Sequence, residues 1–144
     1  MPGSENSIAA WQQNNFIVEF LIPGMIKFLK NWLPVFLWAG LIFYLSAQPS
    51  LKSGMAWPYD FILRKGAHIT EFAIFFMLLL RAFGSHNISP KKALLWAFCL
   101  VILYAISDEF HQLLVSGRVG TPSDVVIDSL GIFLLTWWRI RRFS

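Results

Sequence analysis

The chain has 144 residues, of which 56% are hydrophobic and 14% charged, with a formal net charge of +4 and an isoelectric point near 9.5. An average globular domain carries roughly 25% charged residues, so this chain lacks the polar surface that a water-soluble sphere of its size requires. Its basic residues punctuate the ends of apolar runs instead of forming a stripe, which excludes a nucleic-acid-binding footprint and points to lipid as the surrounding solvent.

Residues 1–25 mix Asn, Gln and Ser with Trp11, Phe16, Ile17, Val18, Phe20 and Leu21 and end at Pro23-Gly24, reading as a tail or a helix lying in the membrane interface. They lack the basic start, unbroken apolar stretch and small-residue cleavage site of a secretory signal, so insertion is expected to rely on the first span. That span is predicted over Trp32–Ala47, extensible back to Ile26, with Pro34 near its start and Gln48-Pro49-Ser50 stopping it. A second span is predicted over Phe61–Phe83, a third over Lys92–Leu114 and a fourth over Ser123–Trp138, with Ser123 as its N-cap and Ser46 and Ser107 as span-end hydrogen bonders. The first and fourth are short for a bilayer, which takes about 20 residues to cross. Cys99 is alone, excluding an intrachain disulfide, and is expected to pack as a small apolar residue. The expected fold is all-α: an integral-membrane four-helix bundle over 26–144, preceded by the interfacial segment.

Four spans put the N-terminus, the second connection and the C-terminus on one side. That side holds Lys27, Lys30, Arg81, Lys91, Lys92, Arg139, Arg141 and Arg142, against Lys52, Arg64, Lys65 and Arg118 on the other. Excess positive charge marks the cytoplasmic face, so both termini are expected in the cytoplasm. His86, in the inner connection, reads as a solvated loop residue. Trp137 and Trp138 beside Arg139 read as part of an interfacial aromatic belt.

The chemical signal is a polar layer inside the spans. Counting from the inner basic anchors at about 1.5 Å per residue places Glu71 at about 15 Å, Asp128 at about 16 Å, His68 at about 20 Å, Asp124 at about 22 Å, Asp108 at about 24 Å and His111 at about 28 Å. His68 and Glu71 are spaced to share a helix face, as are Asp108, His111 and Gln112, and Asp124 and Asp128. Each such group costs a few kcal/mol in hydrocarbon, so they are expected to face the bundle interior or a hydrated cleft, with Arg64, Lys65 and Arg118 as countercharges at the outer mouth. Gly131 reads as a point of close helix approach.

Several short segments resemble the VanZ-like family of small bacterial membrane proteins. Phe43-Tyr44-Leu45-Ser46-Ala47-Gln48-Pro49 is similar to the end of its first span, and Lys65-Gly66-Ala67-His68 running to Glu71-Phe72 to its second motif. Ser107-Asp108-Glu109-Phe110-His111-Gln112 with Gly117-Arg118 is similar to the third, and Asp124-Val125-Val126-Ile127-Asp128-Ser129-Leu130-Gly131 to the fourth. The resemblance covers about residues 35–138 and leaves residues 1–30 outside it; Pro122 departs from the small residue expected in its turn. It implies an envelope protein of the bacterial cell membrane, in a family named for a member linked to resistance to the glycopeptide teicoplanin. It supplies no reaction.

The functional expectation is an outward-opening site that binds, modifies or shields a cell-wall or lipid component. Asp108, Glu109, His68 and His111 are the candidates for proton transfer, and Arg64, Lys65, Glu71, Gln112, Arg118, Asp124 and Asp128 those for substrate binding. Membrane lipid and a lipid-linked or cell-wall substrate are the expected partners, and the sequence leaves the cofactor open. Alternatives are a metal-dependent membrane enzyme using His68-x-x-Glu71 with Asp108 and His111, although no HExxH helix is present, and a transporter or assembly component without catalysis.

Overall fold

The computed structural model describes residues 17–48, 59–116 and 122–143. A π-helical turn over Ile17–Leu21 runs directly into helix α1 (Ile22–Ser46), followed by α2 (Tyr59–Gly84), α3 (Pro90–Leu114), α4 (Pro122–Asp128) and α5 (Leu130–Phe143). Among the described residues there is no strand. Helices α1, α2 and α3 are each long and apolar enough to cross a membrane. The fourth segment is α4 and α5 in series, which together rise about 33 Å.

Helix α1 starts ahead of the predicted span because Pro23 occupies its first turn, where the missing amide leaves no bond unmade. It passes through residue 25, the expected border of the N-terminal segment, without a break. Residues 1–16 of that segment lie outside the described part. Pro34 falls inside α1 and not near its start. A proline there leaves the carbonyl four residues back without its amide partner. That carbonyl belongs to Lys30, and Arg81 Nη2 donates to it at 3.0 Å, so the helix continues where the sequence pattern suggested a beginning.

The tight turn between α2 and α3 is closed by Ser85 and His86 amides donating to the Arg81 and Phe83 carbonyls, with Asn87 at φ 56°. Asparagine tolerates that left-handed backbone better than most residues. Contacts fix the helix directions. Trp32, early in α1, meets Phe83, late in α2, edge to face at 5.4 Å, so α1 and α2 are antiparallel. Phe83 and Trp96, early in α3, do the same for α2 and α3, and α5 packs against α3 through Phe98 and Phe133. The result is an up-down bundle.

Helix α2 is central, burying Phe72, Phe75, Phe76, Leu79, Ala82 and Phe83. Helix α3 faces it with Ala93, Ala97, Val101 and Ala105, a stripe at four-residue spacing that lets backbones approach as membrane helix pairs do. The outward faces stay apolar: Leu37, Leu103, Phe110 and Leu134 are all mostly exposed, as a lipid-bathed bundle requires. Cys99 lies on this exposed surface and does not pack into the core as expected.

The fourth segment bends at Ser129. Its amide still donates to the Val125 carbonyl at 3.0 Å and its carbonyl accepts from Phe133 at 2.9 Å, so the backbone ladder passes through the bend. Ser129 Oγ donates to the same Val125 carbonyl at 2.6 Å, a back-bond that opens helices. Two residues on, a Cβ at Gly131 would lie 3.1 Å from both Ile69 Cγ2 and the Ile69 carbonyl oxygen and 3.3 Å from Ala73 Cβ. Gly131 is therefore the point of close approach between α5 and α2. Because α4 begins at Pro122, Ser123 sits inside the first turn and not ahead of it as an N-cap.

Candidate functional site

Two hydrogen bonds between helices act as rulers for the polar residues. Trp38 Nε1 donates to the Glu71 carbonyl at 2.9 Å, and Tyr104 Oη donates to the Ala39 carbonyl at 2.6 Å. Trp38 and Ala39 are neighbours, so Glu71 on α2 and Tyr104 on α3 stand at nearly one height. From that height toward the outer end, His68 lies about 4.5 Å up, Asp108 about 6 Å, Lys65 about 9 Å and His111 about 10 Å, at 1.5 Å per residue. Asp108 is thus about 3 Å lower relative to Glu71 than counting from Lys92 gives.

The side chains form two groups at this level. On the α2–α4 side, Lys65 Nζ lies 2.6 Å from Asp124 Oδ1, an ion pair across helices with both side chains largely buried. Below it, His68 Nδ1 and Glu71 Oε2 are 3.7 Å apart, beyond hydrogen-bond length but close enough to attract when the imidazole is protonated. Arg64 turns back along its own helix to Asp60 Oδ2 at 2.9 Å, with nearly half of its side chain exposed.

On the α1–α3 side, Asp108 is 3% exposed and accepts from Gln112 Nε2 through Oδ2 at 2.9 Å. Its Oδ1 is buried without a hydrogen-bond partner among the described residues. His111, one turn on, stacks on Phe43 with ring centroids 4.1 Å apart and 24° between planes, and its Nε2 is likewise buried without a partner. Ser46 follows Phe43 by three residues on the same side of α1. It is buried, and its Oγ too lacks a partner. Glu109 and Gln112 are also buried.

Among the described residues this arrangement leaves three polar atoms unsatisfied, a hydroxyl, a carboxylate oxygen and an imidazole nitrogen, toward the ends of α1 and α3. A buried polar group left unmade costs about 1–3 kcal/mol, a cost that a bound polar ligand would remove. Chemically the set offers an acceptor, a donor-acceptor and a proton carrier. Among the described residues no three His, Cys, Asp or Glu side chains are placed to hold one metal ion. Arg118 and the side chain of Asp128 lie outside the described part.

Sequence reasoning assigned Ser46 to hydrogen bonding at the span end, whereas its hydroxyl makes no such bond among the described residues; Ser107 does, donating to the Tyr104 carbonyl at 2.8 Å. It missed Asp60, which is buried and holds Arg64, and the aromatic frame of Trp38, Phe43 and Tyr104. The spacing of Phe43 and Ser46 on one face was the available signal. His86, expected in solvent, accepts a hydrogen bond at Nε2 from Trp32 Nε1 at 2.8 Å while remaining exposed.

The profile of the VanZ/LLP1 family matches residues 3–140. The chain belongs to the VanZ/LLP1 family. The match covers nearly the whole sequence, including residues 3–30, which the motif-level resemblance left outside. No curated protein and no solved structure matches the chain. Family membership and three apolar helices of membrane-crossing length make this a multi-pass membrane protein of the VanZ/LLP1 type.

Proposed function

We propose that this is an envelope protein of the bacterial cell membrane, with both termini in the cytoplasm, whose outer polar layer binds, modifies or shields a lipid-linked or cell-wall component and so protects against the glycopeptide teicoplanin. The observation that carries the reading is Asp108: a nearly buried carboxylate with one oxygen held by Gln112 and the other without a hydrogen-bond partner among the described residues, as are His111 Nε2 and the Ser46 hydroxyl. Ionisable groups at membrane depth are costly, and those kept without a structural partner are the ones a ligand or proton explains best.

In this reading Asp108, His111, Glu109 and His68 accept or move protons, and Gln112 orients the Asp108 carboxylate. Arg118 and Arg64 receive an anionic head, since a guanidinium grips phosphate or carboxylate with two parallel bonds. Lys65 is neutralised by Asp124, so an anion reaches it by displacing that carboxylate.

The test is the lipid and wall-precursor content of protein purified from bacterial membranes, read by mass spectrometry for the wild type, Asp108→Asn and Arg118→Ala. A polyprenyl-linked or wall-derived species retained by the wild type and lost from both variants is the expected result. Equal content in all three proteins contradicts the proposal.

A further inference from the structure

Between α2, α3 and α5 runs a groove of about 900 Å³, from Ile69 and Thr70 on α2 down to the end of the bundle opposite the polar layer. Its walls include Met77, Leu78, Ile88 and Leu135, and it ends on two guanidinium groups, Arg81 and Arg139; no acidic residue lines it. Arg139 Nε is buried without a hydrogen-bond partner among the described residues, and Arg81 spends Nη2 on the Lys30 carbonyl. We infer that this groove is a binding site for an anionic glycerophospholipid, with an acyl chain along the apolar wall and the phosphate between Arg139 and Arg81.

The chemistry follows from the two ends of the groove. A long apolar slot in a helix bundle surrounded by hydrocarbon gains nothing from a polar occupant, whereas an acyl chain fills it with the contacts that a gap forfeits. The cationic end sits where α2 and α5 close and α3 begins, at the level of a headgroup. Two arginines there with no acidic neighbour leave positive charge that a phosphate diester neutralises. Nε together with one terminal nitrogen of Arg139 forms the fork that grips two phosphate oxygens, and Nε is the atom left unmade. Zwitterionic lipids carry the same phosphate next to a cation, so the site should discriminate by net charge.

The phosphate end of the site, at Arg81 and Arg139, is at the other end of α2 from Lys65 and His68, and the lipid preference does not depend on what the polar layer binds. The experiment is native mass spectrometry of the full-length protein released from micelles doped with equal phosphatidylglycerol and phosphatidylcholine. The wild type should retain phosphatidylglycerol over phosphatidylcholine by about tenfold, in line with charge-assisted phosphate contacts. Arg139→Gln should abolish the preference while Arg139→Lys keeps part of it. Leu135→Trp, which fills the groove and leaves both arginines, should lower retention of either lipid. Millimolar glycerol 3-phosphate should not displace the lipid, because the chain supplies much of the affinity. Equal retention of the two lipids by the wild type, unchanged preference in Arg139→Gln, or displacement by glycerol 3-phosphate alone would each overturn the inference.

Discussion

Arg81 Nη2 lies 3.0 Å from the carbonyl oxygen of Lys30, the carbonyl that Pro34 leaves without an amide. A side chain from α2 thereby completes the backbone of α1 at its proline. The bond explains how a proline twelve residues into a membrane helix is tolerated, since neighbouring helices must satisfy what the proline frees. Removing Arg81 should uncover that carbonyl, so Arg81→Ala should lower stability in detergent by about 1–2 kcal/mol. In a Pro34→Ala background the carbonyl regains its own helix partner, and the same substitution should cost clearly less. Thermal unfolding of the four proteins of this cycle checks both statements.

Gly131 is fitted against the Ile69 carbonyl and the Ala73 methyl, and a backbone oxygen cannot turn aside as a side chain can. Gly131→Ala should therefore force α5 away from α2 and cost about 1–3 kcal/mol. Ile69→Ala should recover only part of the loss, because the carbonyl contact persists. The measurement is again the unfolding midpoint in detergent.

Lys65 and Asp124 pair across α2 and α4 with limited solvent access. Removing one partner leaves the other charge poorly solvated, so Lys65→Met or Asp124→Asn alone should each destabilise by about 1–2 kcal/mol, less than a fully buried pair would lose. The double variant should be more stable than the sum of the two losses. A double-mutant cycle on unfolding midpoints measures the coupling.

The proposed orientation, with both termini in the cytoplasm, rests on the distribution of basic residues. A C-terminal alkaline phosphatase fusion, active only after export, should be inactive, and a cytoplasm-active reporter at the same point should work. Export of the C-terminus would reverse the proposed orientation and place the Asp108 layer on the inner side.

Helices α2 and α3 were legible in the sequence to within two residues at each end, because Arg81, Pro90 and the polar turn residues between them bound two long apolar runs. The start of α1 was not, because its continuation through Pro34 depends on a residue 51 positions away that no local pattern shows. The bend at Ser129 was hidden for a similar reason: a serine hydroxyl choosing its own helix carbonyl looks in sequence like any small residue. At the outer end, helical spacing foretold that Asp108 and His111 share a face, and Asp108 with Gln112. Which of them pair and which stay open depends on the aromatic frame. Phe43 takes the face of His111, while Trp38 and Tyr104 spend their donors on backbone carbonyls and, among the described residues, Gln112 is the hydrogen-bond partner left to Asp108.

The most direct test of the outer layer as the working part of the protein is teicoplanin susceptibility in a sensitive Gram-positive host, comparing wild type with Asp108→Asn at matched membrane levels. The substitution keeps shape and removes the carboxylate, and Gln112 can still bond the side-chain oxygen. Protection by the wild type and its loss in Asp108→Asn is the expected outcome. Undiminished protection by Asp108→Asn, or none from the wild type, would contradict the proposed role.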